Sequence, residues 1–326
     1  MAVGAVLVLL NVGFVALSVN SFGTPSPTAR GTGHDAEWLG HAWVDGRKGQ
    51  SDVDALAREM CSTGISDLFV HSGPFRHDGT LDPALRPKAR WLVDALHTAL
   101  PGVRVQAWLG AHPTPSELHL HSSTTRANLV ASVAQVLDDG FDGVQYDFEP
   151  LDDGNQDLLP LLQTTHELTQ QRHKVLSLAA SYTEPLPGMA AAVRLAPGRL
   201  ALWSNGYLHR LALELDQIAL MVYDTGLPTR DSYAGYTRHA TERALAAVPA
   251  DVALFIGVPA YHEDNLRHHP NAEVLPAALR GVRLALGDRP PRPNFGVALY
   301  VDFAATPADW ASYRHDWADL AGAANG

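Results

Sequence analysis

The sequence is poor in cysteine and in positive charge. Cys61 is the one cysteine in 326 residues, which excludes an intramolecular disulfide and a cysteine-based metal site. It falls in an apparent helix over residues 51–63. Its apolar neighbours there predict a small buried hydrophobe rather than a nucleophile. Lys and Arg number 24 against 35 Asp and Glu, a formal net charge of −11. That balance argues against a nucleic-acid partner, which calls for clustered cations. A neutral polymer suits an acidic surface better than a strongly anionic one. Nucleotide-binding turns are missing too. After the first apolar run the chain reads Asp45-Gly46-Arg47-Lys48-Gly49, neither G-x-G-x-x-G nor a P-loop. No G-x-S-x-G elbow supports serine hydrolysis, and no H-E-x-x-H supports zinc. The pairs His119/His121 and His268/His269 lack ligand spacing with a third partner and read as surface loops.

What is present is apolar sequence: 46 % hydrophobic against 18 % charged residues, enough for a large core. Residues 2–19 carry no charge and are nearly all apolar, broken by Asn11 and Ser18. Such a run predicts a signal peptide or a marginal membrane anchor, although no Lys or Arg precedes it and no A-x-A site follows. Residues 20–34, with Pro25 and Pro27, read as a flexible linker. Either version puts the globular part, residues 35–326, outside the cytoplasm, secreted or membrane-tethered through residues 1–19.

From Glu37 onward, short apolar runs alternate with amphipathic stretches. The strand-like runs are 38–44, 65–70, 103–109, 143–148, 175–181, 217–223, 252–258 and 295–301. Helical patterns follow each one, the first over 51–63 with Ser51 as N-cap. Most runs are rich in Val, Ile and Leu, as parallel strands buried on both faces should be. Eight strand–helix repeats in one chain match a single-domain α/β protein, a (β/α)8 TIM barrel. The active site of such a barrel lies at the C-terminal ends of its strands. Polar residues there include Asp45, His71, Ser72, Trp108, His112, Ser181, Tyr182, Tyr223, Asp224, Tyr261, His262, Tyr300 and Asp302.

The fourth run stands out. It reads Asp142-Gly143-Val144-Gln145-Tyr146-Asp147-Phe148-Glu149. Side chains alternate along a strand, so Gln145, Asp147 and Glu149 point the same way. Three polar groups aimed into a barrel are costly unless they are paired or functional. Two carboxylates that close perturb one another, and one can stay protonated near neutral pH. A protonated Glu at a strand's end suits a general acid.

This stretch resembles the D-G-x-D-x-D-x-E signature on strand four of family 18 glycoside hydrolases. That family includes chitinases, endo-β-N-acetylglucosaminidases and spore-cortex or peptidoglycan glucosaminidases. Met221-Val222-Tyr223-Asp224 resembles the family's M-x-Y-D motif. Gly296 to Tyr300 is a weaker match on strand eight, with Tyr300 where the family usually places Trp. The resemblance implies a retaining glycosidase acting on β-linked N-acetylglucosamine glycans, with no metal or organic cofactor. It implies that Glu149 protonates the glycosidic oxygen. Asp147 would orient the substrate's 2-acetamido group, which acts as nucleophile. Tyr223 would hydrogen-bond that group, Asp224 would contact the sugar in the −1 subsite, and Tyr300 would floor it. Trp43, Trp108, Tyr182 and Tyr261 are further candidates for sugar stacking, with a core role as the competing reading for each. The sequence departs from the family pattern at Gln145, which stands where Asp is common and cannot titrate. Gln145 is expected to donate a hydrogen bond to Asp147. A family-18-like binding protein without turnover stays open beside the enzyme, as does a hydrolase of another clan.

Overall fold

Eight parallel strands alternate with helices and close on themselves in sequence order in the computed structural model, which describes residues 12–184, 201–288 and 292–318. The strands are β1 (Asp35–Leu39), β2 (Ile65–His71), β3 (Arg104–Ala111), β4 (Gly143–Phe148), β5 (Val175–Ala180), β6 (Gln217–Met221), β7 (Ala253–Pro259) and β8 (Phe295–Tyr300). After them come α1 (Gln50–Met60), α2 (Ala89–Ala99), α3 (Ser123–Asp138), α4 (Leu158–Gln171), α5 (Asn205–Ala212), α6 (Arg230–Ala247), α7 (Leu275–Leu286) and α8 (Pro307–Asp316). β1 closes the ring by pairing with β8 at Ala36↔Ala298 and Glu37↔Leu299. The expected (β/α)8 architecture is present.

Local chemistry sets the helix starts. Ser122, Ser204, Thr229 and Thr306 are N-caps of α3, α5, α6 and α8, each side chain accepting from a backbone N–H of the first turn. Ser51 is not the cap of α1. Gly49 holds that position, with Asp52 reaching back to its N–H at 2.9 Å. Cys61 is exposed at the end of α1 rather than buried, because the helix stops at Met60 and its apolar face ends there. β1 also differs from expectation. It ends at Leu39, and Trp43 lies in a one-turn 3-10 helix, His41–Trp43. Asp302 turns the chain there: it accepts from Gly40 N at 2.7 Å and from Trp43 Nε1 at 2.7 Å.

The barrel interior is layered. At the N-terminal end Asp67, Gln106, Ser177 and Gln217 form a buried hydrogen-bonded plug, with Arg104 closing on Asp67 at 2.7 Å. Every donor in it meets an acceptor, which makes a polar core layer tolerable. Above it Ala36, Trp38, Phe69, Ala219, Phe255 and Ala298 form an apolar layer. The larger core lies between strands and helices.

Residues 20–34 are not a free linker. A helical segment, residues 12–20, lies on α6, with Leu17 only 2 % exposed. Arg238 donates to Asn20 O, Arg280 to the carbonyls of Ser21 and Gly23, and Arg283 to those of Ser26 and Ala29. Arginines on the barrel helices thus saturate carbonyls that a free tether would leave to water. No helix among the described residues is long and apolar enough to cross a membrane. Residues 1–11, the first part of the apolar run, lie outside the described residues.

Candidate active site

β4 delivers the central groups because its pleat and register leave it little choice. Gln145 pairs with Trp108 and Asp147 with Gly110 on β3, while Asp147 pairs with Ala179 on β5. Gly110 and Ala179 are small, so Asp147 and its neighbours have room at the mouth. Glu149 follows the last residue of β4, anchored by its N–H to Ala111 O at 3.1 Å. Its carbonyl hydrogen-bonds the His112 Nδ1 atom. Asp147 and Glu149 both line a cavity of about 360 Å³ walled by His71, Phe75, His77 and His112.

The electrostatics separate the two carboxyls from ordinary ones. Burial, then the charges of Asp147 and Asp224, push the Glu149 carboxyl up to about 8, against a smaller downward pull from Arg267. A Glu so placed is mostly protonated at neutral pH. Burial raises Asp147 as well, opposed by the Trp108 hydrogen bond and by His112. The Trp108 indole donates to Asp147 Oδ2 at 2.8 Å, while Asp147 Oδ1 is buried without a partner. One oxygen of Asp147 is therefore fixed and the other is free to accept.

Gln145 behaves differently from the expected donor to Asp147. Its Oε1 accepts from Trp38 Nε1 at 2.7 Å, and its buried Nε2 has no hydrogen-bond partner. Trp38 claims the oxygen, and Trp108 does for Asp147 what Gln145 was expected to do. Trp108 is thus placed as a hydrogen-bond donor, and it also meets the His71 ring edge-on at 4.8 Å. Burial and the neighbouring His41 hold His71 well down, to about 4, so it is a neutral ring on the cavity wall.

Opposite stands an aromatic cluster. Tyr223 stacks on Tyr300 with ring centres 4.9 Å apart, and Trp38 meets Tyr300 edge-on at 5.7 Å. Gly257 makes this packing feasible: a Cβ there would stand 3.2 Å from Tyr223 and 3.3 Å from Trp38. The Tyr261 hydroxyl donates to Asp224 Oδ1. Asp224 adopts a left-handed φ of 57°, a conformation rare for a residue other than glycine. Buried Glu273 stabilises the turn by accepting from the N–H groups of Thr225 and Gly226 and from the Thr225 hydroxyl. Burial raises the Tyr223 and Tyr300 hydroxyls, and the negative charges of Asp147 and Glu149 add to it. Tyr182, 7 % exposed, feels Glu149 in the same way.

Trp43 is elsewhere. It is buried beside Glu37, Asp302 and Trp310 at a separate pocket of about 250 Å³, with its indole spent on Asp302. Asp45 pairs with exposed Arg47, and His262 bonds Asp309. His268 is fully buried rather than on a surface loop. Trp38 and Glu273 are site residues that the sequence pattern does not single out, and His71 joins them from the end of β2. Alternation in phase with Ala36 signals Trp38 as inward-facing; Glu273 and His268 sit in a loop whose sequence carries no such period.

No family model matches the chain, and no curated protein matches it. Solved structures do. The spore cortex-lytic enzyme SleL of Bacillus megaterium QM B1551 superposes with a TM-score of 0.61 at 13 % identity, over 91 % of this chain and 76 % of that one. A class V chitinase from Pseudomonas fluorescens Pf-5 gives 0.58 at 14 % identity, over 86 % and 98 %. A group IV chitinase from Ostrinia furnacalis gives 0.57 at 15 % identity, over 87 % and 99 %. At such identities the likeness is one of fold.

Proposed function

We propose that this barrel is a retaining glycosidase of the family 18 type, acting on β-linked N-acetylglucosamine glycans by substrate assistance. Glu149 is the general acid. Its carboxyl is held protonated near neutral pH by burial and by Asp147, at the mouth where a glycosidic oxygen would lie. Asp147 is pinned through Oδ2 to Trp108, which leaves Oδ1 to accept an acetamido N–H. That contact would turn the acetamido oxygen toward the anomeric carbon, which it attacks as the glycosidic bond breaks and Glu149 delivers its proton to the leaving oxygen. Water then opens the oxazolinium, returning the proton to Glu149. Tyr223, beside the pair, is placed to hydrogen-bond the acetamido oxygen. Tyr300 supplies the floor on which the sugar rests.

The observation that carries this reading is the strand-four pair itself: a raised Glu149 beside an Asp147 with one fixed and one free oxygen. The shared fold with chitinases and a cortex-lytic enzyme is consistent with it. The test is turnover of N-acetylglucosamine oligomers and peptidoglycan fragments, with the product anomer followed by NMR. The β-anomer should form first, and Glu149→Gln should lower kcat by about 10²–10⁴-fold. Equal activity in the variant, or inverted product, would defeat the assignment. A second reading, a carbohydrate-binding barrel with little turnover, is favoured by Gln145, whose amide cannot exchange a proton with Asp147. Binding without cleavage by the unaltered protein would select it.

A further inference from the structure

The loop between β7 and α7 holds a histidine that the proposed mechanism does not use. His268 is 0 % exposed, and neither ring nitrogen has a hydrogen-bond partner. Its Nδ1 lies 3.6 Å from Asp224 Oδ1 and 3.7 Å from Glu273 Oε2. The ring lies against Tyr261 with centres 4.2 Å apart, and the Tyr261 hydroxyl donates to the same Asp224 oxygen. Glu273 is itself 0 % exposed and grips the Thr225–Gly226 backbone immediately after Asp224. The loop is built to hold His268 here: the Asn265 side chain accepts from the N–H groups of Arg267 and His268.

Two carboxylates facing one buried ring make a costly arrangement without a cation or donor between them. A histidine is the side chain that can supply either. Nδ1 makes no hydrogen bond among the described residues, and both carboxylate oxygens stand just beyond that length, at 3.6 and 3.7 Å. The titratable groups facing it are Asp224 at the end of β6, Glu273 before α7 and Tyr261 after β7, with Arg267 next in the chain.

We propose that His268 and Glu273 are a positioning pair for Asp224: Glu273 fixes the left-handed turn from below, and His268 Nδ1 bridges the two carboxylates and orients the Asp224 side chain toward the −1 sugar. The sugar contact of Asp224 rests on the function proposed above; the bridge does not. The pair acts through Asp224 and touches no reacting atom. It sets how tightly and in what pose the −1 sugar is held.

The variants that test this differ in where they keep a donor. An asparagine amide nitrogen stands near the place of Nδ1, whereas the glutamine amide reaches toward Nε2. His268→Gln and His268→Leu should lower kcat/KM by about 10- to 100-fold, as a misplaced contact does, and His268→Asn should recover to within about threefold. In an Asp224→Asn background His268→Gln should have little further effect, since the two act as one unit. Equal losses in all three His268 variants, or losses that add to that of Asp224→Asn, would overturn the pair. Turnover is not the sole readout. In ¹⁵N spectra of histidine-labelled protein the His268 Nδ1 signal should move on Asp224→Asn and on Glu273→Gln. If the unaltered protein cleaves no glycan, the glycosidase reading fails alone, and these spectra still decide: a His268 signal unmoved by both substitutions refutes the bridge.

Discussion

At the scale of residues, the site turns on which donor each buried oxygen receives. Trp108 serves Asp147, and Trp38 serves Gln145. Both donors are indoles, whose N–H does not titrate, so Asp147 is oriented without sharing a proton. Trp108→Phe keeps most of the ring and deletes the donor. A hydrogen bond to a charged group contributes about 1.5–3 kcal/mol, and without it burial pushes the Asp147 carboxyl higher. The acidic limb of the kcat/KM profile should then move up by about 1–2 pH units. In the proposed mechanism the basic limb belongs to Glu149, which there must keep its proton to act. Activity should fall as pH rises through about 8, and Trp108→Phe should leave that limb where it is. A profile in which both limbs move together would mean the tryptophan acts on the pair as a whole. Much of this pair was legible beforehand, because a period of two along β4 puts Gln145, Asp147 and Glu149 on one face. The indole donors were not. Trp38 and Trp108 lie 107 and 39 residues from their acceptors Gln145 and Asp147, and period alone says which way a tryptophan points, never which oxygen its N–H meets.

At the scale of elements, the strands were legible and their ends less so. A buried parallel strand is marked by its apolar run, but its end is set by contacts made at long range. Asp302, after β8, stops β1 at Leu39 by taking the N–H of Gly40 and the indole of Trp43. Composition makes residues 20–34 a tether after a signal peptide or anchor over 1–19, yet residues 12–34 lie as a strap on the barrel helices. Leu17 lies so close to α6 that a Cβ on Gly235 would stand 1.8 Å from the Leu17 carbonyl oxygen. No side chain can occupy that point without moving the backbone of one element. Asn20 Nδ2 also donates to the Gly235 carbonyl at 2.8 Å. Gly235→Ala should therefore lift the strap from α6. Overpacking of this kind costs about 1–3 kcal/mol. Limited proteolysis is the direct measurement: cleavage between residues 12 and 34 should become faster in the variant, with cleavage of the barrel unchanged. Cleavage as slow as in the unaltered protein would mean that the arginines alone hold the strap.

At the scale of the whole molecule, the proposed catalytic arrangement and the stability of the fold pull in opposite directions above neutral pH. The carboxyl of Glu149 is raised from 4.5 to about 8, so between those values the folded chain holds a proton that the unfolded chain has released. A group raised in the folded state contributes stability that is complete below its unfolded value and is lost as pH rises through its folded value. Asp35 adds the same sign lower down. It is buried where Tyr313, Trp317 and Val297 N–H converge on it, and burial raises it from 3.8 to about 6. His71, depressed from 6.5 to about 4, works the other way and costs stability as pH falls across that interval. Asp35 and His71 therefore oppose one another between pH 4 and 6. Both have largely finished titrating about one pH unit above 6.5, whereas Glu149 is still releasing its proton there, and buried Glu37, raised by burial, carries the same sign. The melting temperature should fall from pH 6.5 to pH 8.5, and Glu149→Gln, which keeps the shape and removes the charge, should flatten that decline. The variant should melt higher than the unaltered protein at pH 8.5, and the gap should close only toward pH 4.5, where the unfolded carboxyl is protonated as well. A carboxyl retained at a cost in stability, and dispensable to the fold, is what an acid kept for chemistry looks like. A variant whose melting temperature falls in parallel with that of the unaltered protein would mean that Glu149 ionises in the folded state without penalty, and its raised proton affinity would then have to be abandoned.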